Sequence, residues 1–90
     1  MEFEWNKRKA KANLAKHGVA FDEATSVFQD PLFIDFFDPD HSDEEERYII
    51  IGQSQSGRLL VVSYTERSSK TRLISAREAT SKEREAYEKG

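Results

Sequence analysis

The stretch GRLLVVSYTERSSKTRLISARE (residues 57–78) decides the fold of this chain. Its two apolar runs, RLLVVSYTE and TRLISA, flank the polar triplet Ser68-Ser69-Lys70, a pattern that predicts two antiparallel strands joined by a tight turn. Residues 59–62 are apolar at every position, so this strand is covered on both faces, or covered on one face and open to a partner on the other. The same hairpin carries positive charge, with five basic residues and one acidic residue in residues 58–77.

Three further segments predict extended structure before the hairpin. LFIDFF (residues 32–37) and RYIIIGQS (residues 47–54) are short apolar runs bounded by polar or turn-forming residues. The second run leads into Gln55-Ser56-Gly57, which predicts a hairpin turn to the next strand. The first five residues, MEFEW, alternate acidic and aromatic side chains and predict a short strand or an extended arm.

Local capping signals predict three helices. Asn6 can cap a helix that ends before Gly18, where a left-handed C-terminal cap requires glycine. FDEATSVFQ (residues 21–29) has an apolar stripe at helical spacing and predicts a second, short helix. Thr80 with Glu83 fits a capping box that opens a helix near the C-terminus.

Together with a length of 90 residues, these elements predict one α+β domain over residues 1–90: two N-terminal helices, an antiparallel sheet of about four strands and a C-terminal helix. The lack of cysteine excludes disulfides and thiolate zinc sites. No apolar run of about 18 residues predicts a transmembrane helix, and the N-terminus has no hydrophobic signal core. We therefore expect a cytoplasmic protein without a membrane partner.

Charge is distributed unevenly along this acidic chain. The formal net charge is −3, yet residues 1–45 sum to −6 and residues 46–90 to +3. Residues 6–17 contain no acid and five bases: Lys7, Arg8, Lys9, Lys11 and Lys16. A negative net charge argues against unspecific binding to polyanions, whereas a local basic cleft can still hold phosphate groups.

Three segments carry a resemblance to a known family: FEWNKRKAKANLAKHGVAFDEATSVFQDP, DPDHSDEEERYIIIGQSQSGRLLVVSYTER and RLISAREATSKERE. In this order they resemble the BrnT family of type II toxins, which are ribonucleases with a RelE-like fold. The segments cover nearly the whole chain, and the combination of NLAKHGVAF, GRLLVVSYTER and ISAREAT is the most specific part of the likeness.

The resemblance implies an endoribonuclease that cleaves mRNA and so inhibits translation. It also implies a BrnA-like antitoxin with a ribbon-helix-helix DNA-binding region, a toxin–antitoxin heterotetramer, and contact with operator DNA only through the antitoxin. The alternative is a non-catalytic module that binds its antitoxin in an autorepressor complex. A growth arrest that depends on the arginines would favour the enzyme over the module.

RNA can be cleaved without a metal because its 2′-hydroxyl is an internal nucleophile. Such an enzyme needs a base for that hydroxyl, cations on the scissile phosphate and an acid for the leaving oxygen. Arg67 and Arg77 are the predicted phosphate ligands, since a guanidinium holds two phosphate oxygens in fixed geometry. They are expected about 17 Å apart along the sheet at roughly 3.3 Å per residue, so only a bulge or a bend would let them share one phosphate. In a simpler interpretation they pair with Glu66 and Glu78.

His17 and Glu66 are predicted to share proton transfer, with their roles left open. Imidazole changes its protonation near neutral pH, and a carboxylate can act as a base. A purely structural interpretation is available for each: His17 can cap the helix carbonyls, and Glu66 can be an ion-pair partner. The residues predicted to bind RNA are Lys16, Arg47, Arg72, Lys7 and Lys11.

The acidic loop DPDHSDEEE (residues 38–46) contains carboxylates and a histidine, which are ligand types for hard cations. Its spacing lacks the glycine and the terminal glutamate of a calcium loop, so we expect no metal and no cofactor. We interpret it as a solvated segment that repels RNA or pairs with a basic antitoxin. A metal-dependent nuclease built on this loop is a second alternative, which cleavage in excess chelator would exclude. Phe33, Phe36 and Phe37, just before the loop, suit base stacking, core packing or an antitoxin interface.

Overall fold

A five-stranded sheet forms the centre of the structure, a computed structural model that describes residues 1–90. Its strands are β1 (Glu2–Glu4), β2 (Ile34–Phe37), β3 (Tyr48–Gln53), β4 (Leu59–Arg67) and β5 (Lys70–Glu78). The helices are α1 (Lys7–His17), α2 (Phe21–Thr25) and α3 (Ser81–Lys89), with 3-10 helices at Ser26–Gln29 and Pro39–His41. The strand order in the sheet is β1-β5-β4-β3-β2.

The sheet is mixed and has five strands, which corrects the expectation of about four antiparallel strands. The pairs β2–β3, β3–β4 and β4–β5 are antiparallel, as expected. β1 is parallel to β5, with Glu2 opposite Lys70 and Glu4 opposite Arg72. This pairing joins segments that are far apart in sequence, so no local sequence pattern predicts it.

The capping predictions are confirmed. The Asn6 side chain accepts a hydrogen bond from the Lys9 N–H, and Gly18 ends α1 with a φ of 69°. Thr80 and Glu83 form the capping box at the start of α3. The segment predicted as one second helix is instead α2 followed directly by a 3-10 helix.

Alternation of side chains along the strands gives the sheet two faces. The first, here called the helix-covered face, packs against α1 and α2. The main core lies between this face and the helices, and its buried residues are Val19, Phe21, Ala24, Val27, Ile50, Leu60, Val62, Tyr64, Leu73 and Ala76. The second, here called the open face, has a smaller buried group of Ile51, Leu59 and Val61, against which Ala79 and Tyr87 pack. α3 therefore covers only part of the open face.

Asn13 links α1 to β5 just beyond the point where β1 ends. Its Nδ2 donates to the carbonyl oxygens of Val19 (2.9 Å) and Ala76 (2.8 Å), and its Oδ1 accepts from the Ala76 N–H (3.1 Å). β1 pairs only with residues 70–72 of β5. The amide side chain of Asn13 thus bonds to backbone groups of Ala76 that a longer β1 would otherwise occupy, which explains a buried polar residue on α1.

α3 is fixed to the open side of the sheet by a hydrogen bond at its far end. The Tyr87 hydroxyl donates to Asp30 Oδ2 at 2.6 Å, and the same oxygen accepts from the Gln53 N–H at 2.7 Å. The bond to Asp30, with burial, raises the pKa of Tyr87 to about 12. None of the three helices has the length and apolar character needed to cross a membrane.

Candidate active site

The part of the open face that α3 leaves uncovered holds a cleft of ≈ 310 Å³. Its apolar lining comes from three strands: Ile49 of β3, Val61 of β4 and Ile74 of β5. The polar side chains around it are Asp38, His41, Arg47, Ser63, Ser75 and Arg77. Two arginines, a histidine and two hydroxyls in one concavity can hold a phosphate group and move a proton beside it.

A β-bulge in β5 determines which side chains reach this cleft. Ser63 of β4 lies opposite Ser75, but the next residue, Tyr64, lies opposite Leu73, so Ile74 is an extra residue. Ile74 and Ser75 are consecutive, yet both line the cleft. Arg77, two residues after Ser75, therefore lies on the open face as Ser75 does.

His41 is held by an acidic neighbour. Asp38 follows β2, and the 3-10 helix Pro39–His41 brings the imidazole back, so that Nδ1 lies 2.9 Å from Asp38 Oδ2. The side chain of His41 is 66% exposed and that of Asp38 only 13%. In the tautomer in which Nδ1–H donates a hydrogen bond to the carboxylate, Nε2 is unprotonated and can act as a base towards a substrate.

Arg47 enters the cleft from the start of β3. Its N–H donates to Ser42 Oγ (3.0 Å), and its carbonyl accepts from the Asp38 N–H (2.8 Å), which fixes the backbone beside Asp38. The side chain is half-buried, and its Nε is buried without any hydrogen-bond partner. An unpaired buried donor on a charged group is costly, so this guanidinium is poised to bind an anion.

Arg77 is held by the first turn of α3. Its Nη1 and Nη2 donate to the two carboxylate oxygens of Glu83, each at 2.8 Å. These bonds from Arg77, which outweigh the effect of burial, lower the pKa of Glu83 to about 2. Nη1 also donates to the Glu78 carbonyl oxygen at 3.2 Å, whereas Nε makes no hydrogen bond within the chain, which leaves donor capacity on that side for a phosphate.

A second concavity, of ≈ 290 Å³, lies on the acidic loop. It has no hydrophobic lining, and its residues are Asp40, His41, Asp43, Glu44, Glu45 and Arg47. The four carboxylates would repel a phosphate, so the neighbouring cleft is the better anion site. No group of three or more His, Cys, Asp or Glu side chains is arranged to hold a metal ion.

Arg67 and Arg77, the predicted phosphate ligands, are not neighbours. Arg67 lies opposite Lys70 at the hairpin end, whereas Arg77 lies opposite Val61. The six residue steps from Val61 to Arg67 separate them by about 20 Å at roughly 3.3 Å per residue. The bulge does not close this distance, and Arg67 Nη2 binds Glu45 at 3.1 Å.

The other predicted residues of the hairpin also lie outside the cleft. Arg72 Nη1 lies 3.4 Å from Glu4 Oε2 on the neighbouring strand β1. Glu66 is exposed and accepts a hydrogen bond from Thr71 Oγ1 at 3.0 Å. These contacts are structural, but their partners differ from the expected ones: Arg67 pairs with Glu45 and Arg77 with Glu83, and Glu66 bonds to a hydroxyl instead of an arginine.

The predicted residues of α1 lie on the opposite side of the sheet from the cleft, because α1 packs on the helix-covered face. His17 is half-buried in the last turn of α1, and the three lysines are exposed. These residues are His17, Lys16, Lys7 and Lys11.

Arg47 and Arg77 are the predicted residues that line the cleft. Sequence analysis missed His41, which it assigned to a solvated loop. The spacing of Asp38 and His41, three residues apart around a proline, is the signal that points to an oriented imidazole. Ser63 and Ser75 carried no signal, since their position depends on the strand register and the bulge.

The fold and the cleft define a class: a small α+β protein with a cationic, histidine-containing site on one face of its sheet. A family model described as "Ribonuclease toxin, BrnT, of type II toxin-antitoxin system" matches residues 5–83. The chain therefore belongs to the BrnT family of ribonuclease toxins, as the resemblance indicated.

A solved structure shares this fold. It is the 1.1 Å crystal structure of the Brucella abortus ribonuclease toxin, BrnT, which matches with a TM-score of 0.66 and 24% sequence identity. The match covers 89% of this chain and 97% of that chain. No curated protein has a significantly matching sequence.

Proposed function

We propose that this protein is a metal-independent endoribonuclease and that the cleft on its open face is the catalytic site. Membership of a family of ribonuclease toxins supports RNA as the substrate. The buried, unpaired Nε of Arg47 is the observation that carries the location, because it places a cation without an internal partner beside Arg77 and His41.

In the proposed reaction, His41 Nε2 takes the proton of the 2′-hydroxyl. The 2′-oxygen then forms a bond to phosphorus while the bond from phosphorus to the 5′-oxygen breaks, which leaves a cyclic phosphate. Arg47 and Arg77 hold the phosphate oxygens and stabilise their growing negative charge. Water reaches the open cleft and supplies the proton for the departing 5′-oxygen.

Two acids position these groups without contacting the substrate. Asp38 keeps the His41 ring oriented through its contact with Nδ1. Glu83 holds one end of the Arg77 guanidinium, so that the rest of the group is ordered before RNA arrives. Ser63 and Ser75 offer hydroxyl donors to the phosphate from the adjacent strands.

The biological setting is proposed from the family. Cleavage of mRNA in the cytoplasm would inhibit translation. A protein antitoxin is implied by a type II toxin–antitoxin system. We propose that it is BrnA-like, that it forms a heterotetramer with the toxin, and that it alone contacts operator DNA.

Incubation of the antitoxin-free protein with a defined mRNA in excess chelator tests the cleft directly. Removal of one preorganised donor typically slows catalysis about 100- to 1,000-fold, and we expect this for Arg47→Ala and for Arg77→Ala. Arg67→Ala is the matched control, since it removes an arginine from the same sheet but outside the cleft. We expect it to retain cleavage within about threefold, the cost of a surface charge.

The other outcomes are also informative. Loss of cleavage in Arg67→Ala but not in Arg47→Ala would move the site to the hairpin end, where Glu66 would be the nearest base. Cleavage that occurs without chelator and is lost when chelator is added would favour a metal-dependent nuclease. Intact RNA with the parent protein, repeated with translating ribosomes, would leave a non-catalytic antitoxin-binding module.

A further inference from the structure

The sheet has two edges that differ in what they expose. β1 forms one edge with two glutamates, and β2 forms the other. Four of the six large hydrophobic side chains that are exposed lie in or next to β2: Leu32 (70%), Phe33 (41%), Phe36 (47%) and Phe37 (46%). A cluster of exposed apolar side chains on one edge is typical of a protein interaction site.

The backbone of β2 also offers hydrogen-bonding groups. The Asp38 N–H donates to the Arg47 carbonyl at 2.8 Å, so the hydrogen-bonded positions of β2 alternate back from Asp38 through Phe36. Asp35 and Phe37 occupy the positions between them, and their N–H and C=O groups point away from β3. An extended polypeptide can bond to these groups as a sixth strand.

The charges around β2 specify the chemistry of that polypeptide. Six acids lie in residues 38–46, and Asp35 lies in the middle of β2, whereas residues 17–46 contain no Lys or Arg. A docking strand therefore needs apolar side chains for the phenylalanines and basic side chains for the acids. A second copy of this chain, paired through its own β2, would bring no lysine or arginine from that strand.

We propose that an extended, basic and apolar segment of the antitoxin docks on the β2 edge and continues the sheet. The proposal rests on the antitoxin partner that the family implies and is independent of the chemistry proposed for the cleft. β2 runs directly into Asp38, which lines the cleft, so the docked strand would lie at its rim.

Amide hydrogen exchange measured by NMR, for the toxin alone and in complex with the antitoxin encoded with it, tests this pairing. We expect the Asp35 and Phe37 amides to exchange at least about 100-fold more slowly in the complex, because they become hydrogen-bonded. Amides of β1, at the other edge, should not change. A stoichiometric complex in which Asp35 and Phe37 still exchange as in the free toxin would overturn the proposal.

Substitution of the apolar surface gives a second test that does not depend on exchange rates. Phe37→Lys should weaken antitoxin binding at least about thirtyfold, as loss of an interface hot spot does. Leu14→Lys is the matched control: Leu14 is 51% exposed, on α1, and the change adds the same charge. Thermal unfolding checks that both variants are folded, and equal affinity of the two variants would contradict the proposal.

Sedimentation of the free toxin separates the antitoxin from a second copy as the occupant. A monomer with rapidly exchanging Asp35 and Phe37 amides is expected. A dimer in which those amides are already protected would assign the β2 edge to self-association instead. Neither result depends on whether the protein cleaves RNA.

Discussion

Residues that alternate along β4 meet two different environments. Leu60 and Val62 are fully buried under α1 and α2, whereas Val61 and Ser63 line the cleft on the open face. The same alternation holds on β3, where Ile50 is in the main core and Ile49 lines the cleft. One sheet thus keeps its stability on one side and its proposed chemistry on the other, so substitutions should affect the two properties separately.

The two histidines offer the sharpest contrast between the faces. His41→Ala should lower RNA cleavage about 100- to 10,000-fold, because a positioned acid–base group contributes this much. The free energy of unfolding should hardly change, since the side chain is 66% exposed. His17→Ala, on the helix-covered side, is the control and should retain activity. A greater loss of cleavage in His17→Ala than in His41→Ala would return proton transfer to α1.

Leu60→Ala should have the opposite effect: a loss of stability with little loss of activity. Truncation of a fully buried leucine should lower the free energy of unfolding by about 2–5 kcal/mol, a large share of the stability of a small domain. Urea unfolding measures this loss, and cleavage per folded molecule should stay close to that of the parent. Leu32→Ala, at an exposed leucine, should change stability by less than about 0.5 kcal/mol. Similar losses in both variants would refute a stability core on the helix-covered face.

The ion pair between Arg58 and Glu23, on the helix-covered side, should make the stability of the fold depend on pH. Hydrogen bonding to Arg58, stronger than the opposing effect of burial, lowers the pKa of Glu23 from 4.5 to about 2. A lowered carboxyl pKa stabilises the folded state above pH 4.5, and this stabilisation is lost as the pH falls towards 2. Glu23→Gln should therefore cost about 2 kcal/mol at pH 7, after allowance for solvent screening.

Urea unfolding of the parent and of Glu23→Gln at pH 7, 4 and 2.5 measures this linkage. The difference in stability should shrink steadily as the pH decreases. A difference that is independent of pH would mean that Glu23 contributes through packing and not through its charge.

The smallest effect is expected for the lysines of α1. Lys7→Gln combined with Lys11→Gln should slow cleavage less than about twofold, because the sheet separates both side chains from the cleft and salt screens charges beyond about 8 Å. Cleavage rates at low and at physiological salt check this. A loss of tenfold or more would show that RNA also contacts the helix-covered side.

Local signals in the sequence predicted much of the fold. Asn6, Gly18 and the Thr80–Glu83 box each act within one helical turn, and the hairpin turns also depend on adjacent residues. The parallel pairing of β1 with β5 was missed because it depends on contacts between distant segments. Strand order in a sheet is a tertiary property that composition does not encode.

The candidate site was harder to predict for the same reason. The sequence indicates that arginines are numerous near the hairpin, but register and the bulge at Ile74 decide that Arg77 enters the cleft and Arg67 does not. The side of the sheet that α1 covers places its lysines away from the cleft. His41 lies in an acidic loop, where its spacing from Asp38 is a weak signal and the three-dimensional contact with Asp38 gives that signal its meaning.

The pairing of β1 with β5 also determines how early the sheet can form during synthesis on the ribosome. The first strand has no partner until Lys70, Thr71 and Arg72 have been synthesised. Arg77 and its anchor Glu83 are added later still. A nascent chain that ends before Glu83 has an incomplete cleft, so the proposed enzyme would remain inactive until Glu83 had been synthesised.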